Sequence, residues 1–489
     1  MRFKLRLLKI ATGKPVVFLH EYDAKKLGVH IGDRVVIKSN RDSLVAIVDL
    51  VNGFIKKREV ALSEELSSFT KTHNGYVDIL PAEFAESSSI LQNQAGCKEY
   101  SAKDLDKIMS DVVNNRLTEA EIAYFISTMT HCKASVEEVI NLTKAIVKTG
   151  KRISWPYKVV ADKHSIGGIP ANRTTPIVVS ICAASGVIMP KTSSRAITSA
   201  AGTADAVESM APVDLSIAQL KKVVRRTGAC LAWGGSLGLA PADDKLIRVE
   251  KLLRVDPEAQ LLASILAKKL SVGSTHVLID IPYGNGAKVS KERAGRLSKM
   301  FVLLGKKLGL KVKTVITYGA ELVGNGVGPI LEMKDVLRVL KQDNSPIDLE
   351  NKSILLAGNL LEMVGKAKKG QGIAKAKEIL YSKEAYKKFC EIISAQGGDP
   401  KTWLQEAKFS HSIISKHDGI IKEISNPKIN YLARVLGCPI DKASGIYIYK
   451  HVGEYIEEGE KIATLFSESS VKLKEAIKFF KKNKPIVIK

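Results

Sequence analysis

Apolar and polar residues alternate along much of the first 84 positions, which is the pattern of β-strands that bury one face. This alternation predicts strands over Phe3–Ile10, Pro15–Leu19, Asp33–Lys38 and Leu44–Val51. A Ser-, Glu- and Gln-rich stretch near residues 85–94 is typical of a connector. We therefore expect residues 1–84 to form a β-rich N-terminal domain.

After this connector, the spacing of apolar residues becomes that of α-helices. Thr118 with Glu121 and Ser135 with Glu138 have the spacing of capping boxes, which mark helix starts. Apolar residues behind Ser135 follow one helical stripe. The pattern predicts a small helical domain over residues 85–155, and a returning helical segment near residues 255–272 is expected to pack with it.

Short apolar runs alternate with helical segments between Val159 and about Tyr318. Three of these runs predict buried strands, namely Val159–Ala161, Val277–Ile281 and Val312–Thr317. Later in the chain, short strands precede a final amphipathic helix near Val471–Phe480. The pattern predicts a multidomain α/β chain, with a mixed sheet in a large α/β domain over residues 156–350 and a C-terminal α+β part over residues 351–489.

Composition is that of a folded globular protein. Hydrophobic residues make up 45% of the 489 positions, and no stretch approaches the roughly 20 uninterrupted apolar residues of a membrane span. The first residues alternate like a strand and lack the apolar core of a signal peptide. The six cysteines are scattered, without the paired spacing of zinc or redox motifs, so a reducing cytoplasm is the predicted location.

The net charge of +24 raises the question of nucleic-acid binding, because Lys and Arg surfaces attract phosphate backbones. The lysines are spread along the whole chain, however, and aromatic residues make up only 6%, so no stacking patch is visible. A lysine-rich composition or adaptation to heat accounts for the charge as well. We expect no nucleic-acid partner and no membrane partner, with attraction of small anionic substrates as a side effect.

The stretch from Lys191 to Asp205 concentrates hydrogen-bond donors. It combines several hydroxyl side chains with the guanidinium of Arg195 and the glycine at 202. Hydroxyl and amide donors together with a guanidinium are the groups that hold a phosphorylated sugar. A Ser/Thr-rich surface loop is the alternative interpretation of such a stretch.

A second donor-rich stretch runs from Val159 to Pro176. It combines the predicted strand, the Gly167-Gly168 turn and a helix start, with Thr174 or Thr175 as N-cap and Pro176 as first helical residue. Such a unit points backbone amides and the positive end of a helix dipole at one spot. Because both donor-rich stretches follow strands, we expect them to meet at one anion.

These blocks carry a resemblance to a known family. The run Ser194–Glu208 is similar to the signature of the thymidine and pyrimidine-nucleoside phosphorylase family, and further blocks match at Asp162–Ser165, Ala263–Leu270 and Asp441–Gly445. The first 84 residues and the stretch Gly235–Lys245 resemble its type 2, AMP phosphorylase branch. The resemblance covers nearly the whole chain.

The resemblance implies an activity and an architecture. The reaction would be the phosphorolysis of AMP, with CMP and UMP as further substrates, to the free base and ribose 1,5-bisphosphate. The active site would lie in a cleft between the helical and α/β domains that closes on substrates. No cofactor or metal is expected, since inorganic phosphate is a co-substrate that the donors named here can hold. A cytoplasmic homo-oligomer is implied, a dimer or a larger assembly formed through the N-terminal domain.

The resemblance also implies roles for individual residues. Asp256 would be the catalytic proton donor to the leaving base. The residues implied to bind AMP are Gly168, Ser194, Arg195, Ala196, Ile197, Thr198, Ser199, Thr203, Ser264 and Lys288. Corresponding blocks of nucleoside phosphorylases point to Ser165 and Thr174 as ligands of inorganic phosphate, with His164 as a further possibility.

Each of these residue types also fits a purely structural role. Asp256 stands before Pro257 and is a suitable helix N-cap, and Ser264 suits tight helix packing. Lys288 would fit an ordinary surface, and His164 a buried, hydrogen-bonded position. Three rival functions remain: a phosphorylase for unphosphorylated pyrimidine nucleosides such as thymidine, a Mg²⁺-dependent phosphoribosyltransferase, and a basic nucleic-acid-binding protein.

Overall fold

A computed structural model of the chain describes residues 1–39, 42–66, 69, 75–94, 96–196 and 199–489. Two of the residues implied to bind AMP, Ile197 and Thr198, lie outside the described residues. None of the described helices has both the length and the apolar character needed to cross a bilayer.

The described strands follow one another as β1 (Arg2–Leu7), β2 (Val16–Leu19), β3 (Arg34–Lys38), β4 (Ser43–Leu50), β5 (Glu59–Leu62), β6 (Tyr76–Pro81), β7 (Ala161–Ser165), β8 (Met189–Ser193), β9 (Ala229–Trp233), β10 (His276–Tyr283), β11 (Lys311–Tyr318), β12 (Gly326–Val327), β13 (Phe409–Ile414), β14 (Gly419–Ile424), β15 (Gly445–Ile448), β16 (Tyr455–Ile456), β17 (Lys461–Ser467) and β18 (Ile486–Ile488).

The described helices follow one another as α1 (Glu21–Leu27), α2 (Glu86–Gln92), α3 (Ala102–Val113), α4 (Glu119–His131), α5 (Val136–Lys148), α6 (Thr174–Ala184), α7 (Thr203–Val207), α8 (Ile217–Thr227), α9 (Pro241–Leu253), α10 (Glu258–Ser271), α11 (Lys291–Lys307), α12 (Pro329–Lys341), α13 (Ile347–Met363), α14 (Gly372–Tyr381), α15 (Glu384–Ala395), α16 (Asn426–Leu436) and α17 (Ser470–Asn483).

These elements pack into two compact units. Unit 1 comprises residues 1–149 and 241–264, and unit 2 comprises residues 150–240 and 265–489. The chain therefore leaves unit 1 after α5, returns to it for α9, and crosses back into unit 2 within α10.

Unit 1 begins with a closed barrel of six strands in the order β1-β5-β2-β4-β3-β6. The alternation seen in the sequence produces this barrel, because every second side chain points inward. Phe3, Val17, Val35 and Val48 are fully buried in its core. The four predicted strands are present, and β5 and β6 complete the closure, which leaves no unpaired edge.

The helices α3, α4, α5 and α9 pack together in unit 1. The predicted capping box of α4 is complete, since Glu121 N donates to Thr118 Oγ1 at 3.1 Å and Thr118 N to Glu121 Oε2 at 2.7 Å. The second box is only half formed. Ser135 accepts from Glu138 N, but the Glu138 carboxylate accepts instead from Tyr100 N at 3.1 Å.

Two further features of unit 1 differ from what the sequence predicts. The predicted connector contains the helix α2, in which Ser87 is buried and donates to Asp111 Oδ2 at 2.7 Å. Cys97 and Cys132 form a disulfide, although their separation of 35 residues matches no paired motif. Folding brings the end of α4 beside the segment that precedes α3, a contact that spacing alone does not reveal.

Unit 2 is built on parallel strands. The order β11-β10-β7 forms one sheet with parallel neighbours, and β8 pairs in parallel with β9. This differs from the predicted mixed sheet, because the antiparallel strands of unit 2 pair separately. Helical crossovers, with α11 between β10 and β11 and α8 between β8 and β9, return the chain to the same end of each sheet, which keeps these strands parallel.

The first strand of unit 2 lies later than predicted. β7 covers Ala161–Ser165, so the polar residues Asp162 and Lys163 stand inside a buried strand. Asp162 is tolerated there because Lys269 Nζ donates to its carboxylate at 2.7 Å. The predicted N-cap is also wrong: α6 starts at Thr174 with Arg173 as its cap. The Thr174 hydroxyl is bonded to Lys163 and does not cap the helix.

The C-terminal part of unit 2 is α+β, as its short strands and final helix predict. One antiparallel sheet has the order β12-β15-β17-β13, and another has the order β16-β14-β18. The helices α16 and α17 pack on each other, and Ile421, Leu432, Ile446 and Leu465 are buried in the core that they share with the strands.

Candidate active site

Three parallel strands of unit 2 end at residues that the sequence analysis singled out. β7 ends at Ser165, β8 ends at Ser193 directly before the donor-rich loop, and β10 ends at Tyr283 shortly before Lys288. Ligands of open α/β sheets bind outside the carboxyl ends of the strands. The candidate phosphate ligands of unit 2 therefore follow the edge at which such a site forms.

Lys163 is a buried cation beside a predicted phosphate ligand. Its side chain is 1% exposed, and its Nζ donates to Thr174 Oγ1 at 2.7 Å. Burial lowers the pKa of Lys163 to about 8, although the nearby Asp280 carboxylate opposes the shift. Lys163 was not among the site residues predicted from the sequence. The available signal was a lysine inside a strand that is otherwise buried, next to a glycine turn.

His164, the alternative phosphate ligand, supplies no positive charge near neutral pH. Desolvation by the surrounding protein lowers its pKa well below the ordinary value, and Lys269 and Lys191 lower it further. Near neutral pH, positive charge at this strand end therefore comes from Lys163 and not from His164.

Gly168 and Lys288 lie against each other. Gly168 has a φ of +93°, and a Cβ placed there would lie 2.8 Å from Lys288 Cγ and 3.2 Å from Lys288 N. The position requires glycine both for its backbone conformation and for this close approach. Two residues that the resemblance assigns to AMP are thereby brought together, although 120 positions separate them in the sequence.

The Asp205 carboxylate bridges two points of the loop that starts at Ser194. Asp205 Oδ2 accepts from Ala196 N at 2.7 Å and from Gly202 N at 2.8 Å. A side chain at Gly202 would meet the carbonyl oxygen of Ser194 at 2.4 Å, so glycine is required at this crossing. Asp205 therefore fixes the described parts of the hydroxyl-rich stretch at Ala196 and Gly202.

The Arg195 guanidinium is engaged by carboxylates. Its Nη1 and Nη2 donate to the two oxygens of Glu208 at 2.9 and 2.7 Å, and the group lies 4.7 Å from the Trp233 ring. The Arg195 guanidinium lowers the pKa of Glu208 to about 2. The described contacts of Arg195 thus stabilise the loop, and its contact with AMP stays a prediction.

Arg173 connects the two donor-rich stretches. Its Nη1 donates to Thr203 Oγ1 at 2.6 Å and its Nη2 to Ala201 O at 2.9 Å. Arg173 directly precedes Thr174 at the start of α6, and its guanidinium contacts the end of the donor-rich loop at Ala201 and Thr203. Arg173 therefore joins these two segments. Arg173 was not predicted from the sequence, because its partners lie 28 or more residues away and no local pattern marks them.

The two remaining site residues belong to unit 1. Asp256 is exposed and directly precedes Pro257, just before α10. Ser264 is buried on α10, and its hydroxyl donates to Asp243 Oδ2 at 2.9 Å. Gln260, one turn earlier, donates to the other oxygen of the same buried carboxylate at 3.3 Å. Asp243 therefore fixes the helix face that carries Ser264.

Known relatives match this chain from end to end. It is 41% identical to an AMP phosphorylase of Thermococcus sibiricus and 41% identical to one of Pyrococcus furiosus, each over 100% of this chain and 98% of the relative. It is 38% identical to AMP phosphorylase 1 of Archaeoglobus fulgidus, over 100% of this chain and 97% of the relative.

Two further comparisons concern parts of the chain. Residues 420–487 match the pyrimidine nucleoside phosphorylase C-terminal domain. Among solved structures, an anthranilate phosphoribosyltransferase from Thermus thermophilus superposes with a TM-score of 0.53 at 17% identity, over 63% of this chain and 99% of that chain. At this identity the likeness is one of fold alone.

Proposed function

The chain belongs to the AMP phosphorylase family, and from that premise we propose that it catalyses the phosphorolysis of AMP. An oxygen of inorganic phosphate attacks C1′ of the ribose, the bond from C1′ to the base breaks, and adenine and ribose 1,5-bisphosphate are released. The enzyme is thus a pentosyltransferase. CMP and UMP are proposed as further substrates.

One observation in unit 2 carries this proposal beyond the family relationship. Arg173 directly precedes Thr174 at the start of α6, and its guanidinium donates to Thr203 Oγ1 at the end of the donor-rich loop, so these two hydroxyl-bearing segments are joined. Both segments follow the carboxyl ends of parallel strands, where ligands of open α/β sheets bind. Together they form a cluster of hydrogen-bond donors of the kind that two phosphate groups require.

The donors fall into two sets in this proposal. Lys163, Thr174 and Ser165 bind inorganic phosphate, because the buried Lys163 ammonium already contacts Thr174. Gly168, Lys288 and the loop from Ser194 to Thr203 bind AMP, with Lys288 at its 5′-phosphate. Such a charge-assisted contact with the 5′-phosphate allows the enzyme to distinguish a nucleotide from a nucleoside.

The leaving base needs a proton. Cleavage of the bond to C1′ leaves negative charge on adenine, and an acid placed at the base typically contributes about 10²–10⁴-fold in rate. We assign that acid to Asp256 and a contact with the base to Ser264. Both belong to unit 1, so the assignment requires a cleft that closes on AMP and excludes water as a competing nucleophile.

The proposed assembly is a homo-oligomer formed through the barrel of residues 1–84. Its function is separate from the chemistry, because the described barrel residues include none of those assigned to AMP or phosphate. Deletion of residues 1–84 should lower the particle mass measured by light scattering. An unchanged mass per particle, after allowance for the deleted residues, would contradict the role in assembly.

Release of base from a panel of substrates tests the function. The protein is incubated with AMP, CMP, UMP, adenosine and thymidine, with and without phosphate and in the presence of EDTA. We expect phosphate-dependent release from AMP that survives EDTA. Cleavage of adenosine or thymidine in preference to AMP would favour a nucleoside phosphorylase, and strict dependence on Mg²⁺ would favour a phosphoribosyltransferase.

A pair of lysine variants tests the AMP assignment. Lys288→Ala should raise the KM for AMP by about 10- to 100-fold, as the loss of a charge-assisted contact does. Lys291→Ala removes the same charge from an exposed position at the start of α11 and should leave the KM for AMP unchanged. Equal kinetics for the two variants would remove Lys288 from the site.

A further inference from the structure

Arg173 is buried and held in one orientation by a buried carboxylate. It is 7% exposed, and its partner Glu332 on α12 is 1% exposed. Glu332 Oε2 lies 2.7 Å from Nε and 2.5 Å from Nη2, while Gly328 N donates to Oε1 at 3.2 Å. These contacts with Glu332 hold the Arg173 guanidinium in one orientation inside the protein.

Thr203 is the point at which this guanidinium reaches the loop assigned to AMP. Nη1 donates to Thr203 Oγ1 at 2.6 Å. A hydroxyl has a single hydrogen to donate, and when its oxygen accepts from a cation, that hydrogen points away from the cation. Contact with the guanidinium also polarises the O–H and makes it a stronger donor. Thr203 is only half-buried, so an external acceptor can reach it.

The backbone around Thr203 is fixed by the same arginine. Nη2 donates to Ala201 O at 2.9 Å, and the Ser199 hydroxyl donates to the same carbonyl at 2.6 Å. The next residue, Gly202, is held by Asp205 Oδ2 at 2.8 Å. The two residues before Thr203 are thus both anchored, and the bond from Arg173 Nη1 sets the direction of the Thr203 hydroxyl before any ligand arrives.

We propose that Arg173, held by Glu332, is a positioning residue that directs the Thr203 hydroxyl as a donor to a phosphate oxygen of bound AMP. Arg173 does not touch AMP in this scheme and acts through Thr203. The inference rests on the proposed phosphorolysis of AMP and adds to it a reason for a buried arginine at the start of α6.

A double-mutant cycle tests this coupling. Thr203→Val, Arg173→Met and the double variant are compared with the wild type for the KM of AMP, the KM of phosphate, kcat and the melting temperature. Each single variant should raise the KM for AMP by about 10- to 100-fold, the effect of losing a charge-assisted hydrogen bond. The double variant should be no worse than the more impaired single variant, because both changes remove one interaction.

Control variants separate positioning from folding. Thr203→Ser keeps a hydroxyl and should restore most of the AMP affinity. Thr464→Val removes a buried threonine hydroxyl on β17 that is bonded to Tyr449. Its effects on the KM for AMP and on the melting temperature should simply add to those of Arg173→Met. A role of Arg173 in folding alone predicts a lower melting temperature with the KM for AMP unchanged.

The outcomes also separate this inference from the proposed function. Absence of AMP cleavage in the wild type would overturn the function. Wild-type cleavage with additive effects at Arg173 and Thr203 would overturn only the positioning role, and so would a rise confined to the KM of inorganic phosphate. Non-additive effects confined to the KM for AMP are the expected result.

Discussion

The substitution Gly168→Ala changes the predicted AMP site by one methyl group. At a φ of +93° an alanine is strained, at a cost of about 1–2 kcal/mol for a residue with a Cβ. Its Cβ would lie 2.8 Å from Lys288 Cγ, whereas carbon atoms in contact lie about 3.5–4.0 Å apart. The stem of Lys288 must therefore move by roughly 1 Å, which would displace the ammonium from the 5′-phosphate contact that we propose for it.

The expected result is a combined loss of stability and of AMP binding. The free energy of unfolding should fall by about 1–2 kcal/mol from backbone strain. The KM for AMP should rise by about 10- to 100-fold, because a charge-assisted contact is weakened. Initial rates of adenine release at varied AMP and saturating phosphate measure the second effect, and urea denaturation measures the first.

Gly228→Ala is the matched control. Gly228 lies in the same unit with a φ of +82°, and the nearest atom to a Cβ there is Val187 O at 3.7 Å. It should lose similar stability and keep the KM for AMP of the wild type. If Gly168→Ala and Gly228→Ala have the same KM for AMP, the reasoning that links Gly168 to Lys288 is refuted.

Three further predictions concern single charged groups. Asp256→Asn should lower kcat for AMP by about 10²–10⁴-fold, with AMP affinity retained in calorimetry without phosphate; an unchanged kcat would exclude Asp256 as the acid. Burial lowers the pKa of Lys163 to about 8, so the lysine loses its positive charge as pH rises through that value. The kcat/KM for phosphate should therefore fall above pH 8, and Lys163→Arg, which stays charged, should remove this limb from the pH profile. Burial also lowers the pKa of Lys245 to about 8 from 10.5, so its charged form destabilises the native state below pH 8. The free energy of unfolding of the wild type relative to that of Lys245→Met, measured by urea denaturation, should then rise between pH 8 and 10.5. A difference between the two proteins that does not change with pH would contradict this prediction.

Much of the architecture follows from periodicity in the sequence. Alternation along the first strands places Phe3 and Val17 inside a barrel, and the Thr118–Glu121 spacing sets the start of α4. The glycines at 168 and 202 mark places where backbone must pass close to another segment, which the sequence signals as turns in donor-rich stretches. These features are local, so a single sequence carries them.

What the sequence does not reveal depends on contacts between distant residues. A buried charge such as Lys163 or Asp162 looks like the end of a strand until its partner, Thr174 or Lys269, is known. Arg173 has no local signal, because Glu332 lies 159 residues away. The pairing of Cys97 with Cys132 and the loss of Thr174 as an N-cap have the same cause, since tertiary contacts decide both.

The most direct test of the account is to identify the sugar product formed from AMP in phosphate buffer. ³¹P NMR of the reaction mixture should show two resonances of equal intensity that grow together with free adenine, one from the 5-phosphate and one from the new phosphate at C1. Formation of ribose 5-phosphate alone, or base release that continues at the same rate without phosphate, would contradict phosphorolysis by this chain.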